Sequence, residues 1–475
     1  MSISEYSSYD GLGLAALVKA GEVTPAELAE EAITRVEAHN PKLNAVILKL
    51  YDLGREMAKS PAKGPFEGVP FLLKDAFGDL AGTSTRDGSK FRSGEPAKHD
   101  STLAARFKDA GVVIVGKTNV PEYTLLPTTE SALYGAACNP WNTAHSTGGS
   151  SGGSGSAVAA GIVPIAHAND SGGSIRIPAS ACGLVGMKPT RGRNPLGPDF
   201  GDVVAGLCCE HILSRSVRDS AAMLDCTHGA EPGDPYAAPP VERPYLEEVT
   251  RNPGKLRIAF SKQDFDGKAL HPDCVAGVEK TAKMLSDLGH EVMEAAPPLA
   301  AGEAGAYFLP TWAAYLAWEI DSESQRRGRP PKDDELQGLT WGFYEIGKTI
   351  TASQFLILRT QAQAMARRVA QFMQTYDVWL TPTLASPPVK NGILDLNERD
   401  AMKGFLPLVD YVPFTTIHNL TGQPAISLPL HWSSDGLPVG MLFSARFGDE
   451  ATLYRLAGQL EEAMPWKDKR PQVWG

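Results

Sequence analysis

Residues 147–178 read Thr-Gly-Gly-Ser-Ser-Gly-Gly-Ser-Gly-Ser-Ala-Val-Ala-Ala-Gly-Ile-Val-Pro-Ile-Ala-His-Ala-Asn-Asp-Ser-Gly-Gly-Ser-Ile-Arg-Ile-Pro and contain two serines, Ser150 and Ser174, each preceded by a glycine pair. Without Cβ atoms in the way, backbone N–H groups beside such serines can approach a ligand closely. The apolar stretch between them is long enough for a helix and a returning strand that would bring the two loops together. A hydroxyl nucleophile, a second hydroxyl and a cluster of donors outline a hydrolase site.

Other chemistries fit these residues less well. A flexible linker would explain the Gly/Ser-rich stretch 147–156. Yet the run feeds straight into Ala157-Val158-Ala159-Ala160, and a second Gly-Gly-Ser follows at 172–174. A phosphate cradle lacks its lysine, because no G-x-x-x-x-G-K-[ST] occurs here, and no dinucleotide fingerprint sits between a strand and a helix. Gly148-Gly149-Ser150-Ser151-Gly152 matches G-x-S-x-G, an elbow that needs a preceding strand and a late histidine. His418 and His431 are available, but Pro140–Thr147 reads as no strand. Ser60-Pro61-Ala62-Lys63 matches S-x-x-K with no S-D-N or K-T-G after it.

A serine nucleophile served by a lysine base remains. With a pKa of ~10.4, only about one lysine in 2,500 is neutral at pH 7 in water, so the base must be buried or placed beside another cation. Lys74 directly follows the apolar run Val69–Leu73 and suits that role; the alternative is a solvated lysine at a strand end.

The elements that would position these groups alternate. Thr24-Pro25-Ala26-Glu27 is a capping box, and Leu28, Ala29, Ala32, Ile33 and Val36 recur on one helical face. A buried strand is expected at Gly68–Asp75, a helix at 101–110 stopped by Gly111, and a strand at Val112–Val115. Ser174–Cys182 predicts a short helix with Gly183 as its stop. Glu231–Pro244 is a proline-rich crossing. A strand at Leu256–Phe260, a helix over about 271–288 and further strands at Val378–Leu380, Ala425–Leu430 and Val439–Ser444 complete the pattern. Residues 302–375 read mostly helical and carry Phe308, Trp312, Tyr315, Trp318, Trp341 and Phe343. The fold class is therefore α/β, one large domain over 1–475 with a central mixed β-sheet covered by helices on both faces.

Composition narrows the class. With 43% hydrophobic and 21% charged residues the chain can bury a large core, and a net charge of −10 argues against a protein that tracks nucleic-acid phosphates. Six cysteines without a CxxC pair point to reduced thiols and a cytoplasmic location. The N-terminal residues show neither a basic nor an apolar leader segment, and no apolar run approaches the ~20 residues that span a bilayer. Cys208-Cys209-Glu210-His211 lacks zinc spacing and no H-E-x-x-H occurs, so neither metal nor cofactor is expected; His167 and His418 read as satisfied core groups.

Taken together, Gly149–Ser154, Asn169–Arg176, Gly183–Thr190 and the lysine segment Gly68–Asp75 resemble the amidase signature family. The resemblance runs through Val115–Glu122 to Asn419–Ala425 and so covers nearly the whole chain. Ala166–Asp170 and Lys188–Arg193 are most similar to its 6-aminohexanoate cyclic-dimer hydrolase branch. The resemblance implies a Ser–cis-Ser–Lys triad of Ser174 (nucleophile), Ser150 (relay) and Lys74 (base), with a cis peptide at Ser150. It implies an oxyanion hole from the N–H groups of Ser171, Gly172, Gly173 and Ser174, and an acyl pocket near Tyr123, Thr124, Leu125 and Cys209. Asp170 and Arg176 would form a structural ion pair, and the helical insertion around 302–375 would wall the pocket.

The implied reaction is hydrolysis of an amide, lactam, anilide or carbamate-like bond of a small molecule through a seryl acyl-enzyme. The implied partners are that substrate, water and, as is common among such relatives, a second copy of the chain. Two other readings stay open: the A subunit of a glutamyl-tRNA(Gln) amidotransferase, and a non-catalytic binding protein of the same fold.

Overall fold

In the computed structural model, which describes residues 5–475, one sheet of eleven strands runs the width of the molecule. Across it lie Val46–Lys49, Val113–Thr118, Pro70–Lys74, Ile165–Asp170, Cys209–Ser214, Val185–Lys188, Ala425–Trp432, Pro438–Ser444, Val378–Pro382, Arg257–Phe260 and Glu291–Glu294. Pairing is mixed. Pro70–Lys74 runs parallel to both its neighbours, whereas Ile165–Asp170 and Cys209–Ser214 are antiparallel. Fifteen α-helices flank the sheet among the described residues. The architecture is the expected α/β domain with a central mixed sheet.

Local chemistry accounts for these elements. The Thr24 hydroxyl accepts the Glu27 N–H at 3.2 Å while the Glu27 carboxylate accepts the Thr24 N–H at 2.8 Å, a reciprocal cap that starts the helix Pro25–Leu43. The Ser101 hydroxyl caps Thr102–Asp109. The strands Pro70–Lys74, Val113–Thr118 and Ile165–Asp170 are buried along their whole length, which explains the apolar runs of the first two.

The Gly/Ser-rich run is no linker. From Gly152 to Ala159 it forms a fully buried helix. Its glycines allow the close packing: a Cβ on Gly152 would lie 2.1 Å from Thr147 Oγ1, and one on Gly153 would lie 2.3 Å from the Asn119 amide nitrogen.

One expectation fails. Asn142–Ser146 is a strand, paired antiparallel with Cys138–Asn139 in a two-stranded ribbon. Its residues are polar and partly exposed, so it carries none of the apolar signal that marks a core strand. It belongs to that ribbon rather than to the central sheet.

Candidate active site

Lys74, Ser150 and Ser174 lie at the end of one strand and just before two helices, the second of which follows the strand Ile165–Asp170. Lys74 is the last residue of its strand, and its side chain is fully buried. Its Nζ lies 2.8 Å from Ser150 Oγ and 2.5 Å from Asn169 Oδ1. The Asn169 amide NH2 donates to the Ala76 carbonyl at 3.1 Å, which turns Oδ1 toward the lysine. Asn169 accepts only at that oxygen, so it holds one Nζ hydrogen and leaves the lone pair of a neutral amine free for Ser150. Burial pushes the Lys74 ammonium down to about 8, against the upward pull of Glu210, Asp87, Cys208 and Asp170.

Ser150 sits just before the buried helix Gly152–Ala159, and the Gly149–Ser150 peptide bond is cis. The neighbouring Ser151 hydroxyl donates to the Asn169 carbonyl at 3.2 Å, tying this turn to the Asn169 strand. Ser174 lies in the turn between Ile165–Asp170 and Arg176–Cys182, with 8% of its surface exposed.

The turn 171–175 is organised by Asp170. Its Oδ1 accepts the Gly173 N–H at 2.8 Å and its Oδ2 accepts the Ile175 N–H at 3.1 Å. Arg176 pairs with it at 2.8 Å with both side chains wholly buried, and Asn419 donates to Oδ1 at 2.9 Å. Burial favours a protonated Asp170, but the charge and hydrogen bonds of Arg176 outweigh that and hold the carboxyl well below the usual range. Since Gly173 has given its N–H to Asp170, the oxyanion-hole expectation narrows to Ser171 and Gly172 together with Ser174.

The remaining expected residues scatter. Leu125 packs with Cys208, Trp312, Phe308 and Tyr315 in one cluster. Tyr123 is buried in an adjacent cluster that Leu125 also touches, and both Tyr123 and Thr124 have positive φ (51°). The Cys209 thiol instead accepts from Lys188 Nζ at 3.6 Å. From the helical region, Phe308 reaches the serine turn: a Cβ on Gly172 would meet its Cζ at 2.5 Å. Thr415 closes the turn from behind by donating to the Gly172 carbonyl at 2.7 Å.

Asn169 and Thr415 carry no role in the sequence reading, and Phe308 only a place among the aromatics of the helical stretch. Only Asn169 left a signal, as a polar residue two positions after His167 in the segment leading to the second serine.

This fold, with a buried lysine in contact with the glycine-preceded Ser150, is that of an amide hydrolase. The Amidase family model matches residues 27–454, and the chain belongs to that family. It is 40% identical to the 6-aminohexanoate-cyclic-dimer hydrolase of Paenarthrobacter ureafaciens, over 98% of this chain and 96% of that one. The solved structure of 6-aminohexanoate cyclic dimer hydrolase superposes with a TM-score of 0.93 at 39% identity, covering 98% of this chain and 99% of the other. A bacterial aryl acylamidase of the amidase signature family follows with a TM-score of 0.89 at 25% identity, covering 98% and 100%. The chain is accordingly an amidohydrolase acting on carbon–nitrogen bonds other than peptide bonds. Among the described residues, no helix is long and apolar enough to cross a membrane.

Proposed function

We propose that the chain hydrolyses the amide, lactam or anilide bond of a small molecule through a seryl acyl-enzyme, with Ser174 as nucleophile, Ser150 as relay and Lys74 as base. The contact between the buried Lys74 Nζ and Ser150 Oγ carries this reading. Ser174 Oγ attacks the carbonyl carbon; its proton moves to Ser150, whose own proton passes to neutral Lys74. The N–H groups of Ser171, Gly172 and Ser174 stabilise the oxyanion. As the tetrahedral adduct collapses, the leaving amine takes a proton back along the same route. Water then repeats the cycle and releases the acid.

The stretch 302–375 forms the outer wall of the acyl pocket, a role supported by Phe308 lying against Gly172. A cyclic or linear aminoalkanoate amide is the first substrate class to test, given the similarity to the cyclic-dimer hydrolase.

The decisive experiment is Ser174→Ala assayed against cyclic and linear amides, anilides and carbamates. A folded variant without turnover and without covalent labelling by a fluorophosphonate is expected. Near-normal turnover in that folded variant removes Ser174 from the mechanism.

A further inference from the structure

Two buried side chains beside the lysine have no part in the mechanism above: His167 and Glu210. His167 lies on the Asn169 strand, and Glu210 stands directly opposite Asn169 on the neighbouring antiparallel strand. Alternation along a strand then puts His167, Asn169 and Glu210 on one face of the sheet, the face that meets Lys74. The Lys74 main-chain N–H donates to His167 Nδ1 at 3.2 Å, and His167 Nε2 lies 2.6 Å from Glu210 Oε2. The side chains are 0% and 3% exposed.

These bonds fix the tautomer of the imidazole. Nδ1 accepts a backbone N–H and therefore carries no proton, so the imidazole proton sits on Nε2 and points at the carboxylate. The imidazole thus donates to Glu210 Oε2, while Cys208 Sγ lies 3.9 Å from the other carboxyl oxygen, Oε1. We propose that the His167–Glu210 pair supports the lysine site: His167 clamps the Lys74 main chain, and an ionised Glu210, directly across from Asn169, sets a negative charge on the face of the sheet that meets Lys74. The inference rests on the reading of Lys74 as the base.

Other charged and titratable groups facing Lys74 have partners or are held neutral. Asp87 pairs with Arg92 at 3.3 Å and Asp170 with Arg176 at 2.8 Å. Burial, reinforced by Glu210, raises the Cys208 thiol well above its ordinary value. His211, the residue after Glu210, alternates to the opposite face of the sheet and is pushed down to about 3 by burial. From the helix Thr102–Asp109, the side packed on His167 is the uncharged Phe107 ring. Glu210 heads the charges acting on Lys74, which agrees with the geometry.

A test that needs no known substrate is the pH dependence of labelling by a fluorophosphonate. In that reaction Ser174 Oγ bonds to phosphorus, fluoride leaves, and the serine proton goes to Lys74 by way of Ser150. Glu210→Gln keeps an acceptor for His167 but removes the charge, so Lys74 should lose its proton more readily. The rise in labelling rate should move to lower pH by about one unit, with the plateau rate within a few-fold of the parent.

His167→Gln supplies an acceptor for the Lys74 N–H and a donor for Glu210, so it should leave the midpoint in place. If Glu210→Gln does not fold, the double variant His167→Gln/Glu210→Gln removes the same charge with paired amides and carries the same expected shift. An unmoved midpoint in either folded Glu210 variant overturns the inference while leaving Lys74 as base. Wild-type labelling in folded Lys74→Ala overturns the reading of the lysine itself.

Discussion

Lys74 Nζ and Ser150 Oγ lie 2.8 Å apart although 76 positions separate them in the chain. The lysine ends a strand whose two parallel neighbours bury it, and the serine precedes a helix of small residues packed on the face of those strands. Neither half has chemistry alone. A solvated lysine is protonated at neutral pH, and a serine without a base is a poor nucleophile.

The first expectation concerns rate and pH. Burial holds Lys74 at about 8, and the base must be neutral to act, so kcat/KM should rise with pH through a midpoint near about 8. Lys74→Ala should lose at least ~10³-fold in turnover, within the range seen when a member of a catalytic triad is removed. A pH–rate profile that is unchanged in that variant takes the lysine out of the relay.

The same burial makes a statement about stability. Lys74 binds its proton less tightly in the folded chain than the 10.5 of a free lysine, so protonation opposes folding. The penalty is fully present below about 8 and disappears as pH rises toward 10.5. Lys74→Met, which cannot ionise, should therefore gain on the parent at pH 7 relative to pH 10, by ~2 kcal/mol. Urea unfolding of both proteins at the two pH values measures this; an equal difference at both shows that Lys74 is not desolvated.

Much of this arrangement was readable before any coordinates. The strand ending at Lys74 showed as a continuous apolar run, and the helix stop at Gly183 has the left-handed φ of 72° that such a glycine serves. Asp170 and Arg176 were readable as a pair because they bracket one short turn. The His167–Glu210 contact was not, because its partners are 43 residues apart on different strands and each alone reads as a stray polar core residue. Nor was the Gly173 N–H bond to Asp170, since any backbone amide in a glycine turn looks equally free. The strand Asn142–Ser146 escaped because its pairing partner is a two-residue segment and its face is polar.

The buried ion pair gives a third expectation. Asp170→Asn leaves the Arg176 guanidinium wholly buried without its counter-charge, which should destabilise the fold by about 3–5 kcal/mol. The sign with pH is also set. Asp170 is held well below its ordinary value, so its contribution is complete above the unfolded carboxylate range near 4 and is lost as pH falls below it. Denaturant midpoints of parent and variant should converge as pH drops from 5 toward 2. A constant gap means that the charge of Asp170 does not support the fold.

The last expectation separates the wall of the pocket from the turn it covers. Gly172 has an ordinary backbone φ, so alanine there is not strained by conformation. Its Cβ would instead collide with Phe308 Cζ at 2.5 Å, and the ring or the turn must move. If the turn moves, the Gly172 N–H leaves the oxyanion position, a loss that typically lowers kcat by about 10²–10³-fold. Trimming the ring should then restore the turn: Gly172→Ala/Phe308→Leu should recover at least ten-fold in kcat over Gly172→Ala, while Phe308→Leu alone acts mainly on KM. Gly173→Ala is the contrasting case. Its φ of 138° strains any residue with a side chain and its Cβ would meet Thr415 Oγ1 at 2.5 Å, so removing Phe308 should not rescue it. Equal kcat in the Gly172 single and double variants shows that Phe308 does not press on the serine turn, and the assignment of 302–375 as the pocket wall then fails with it.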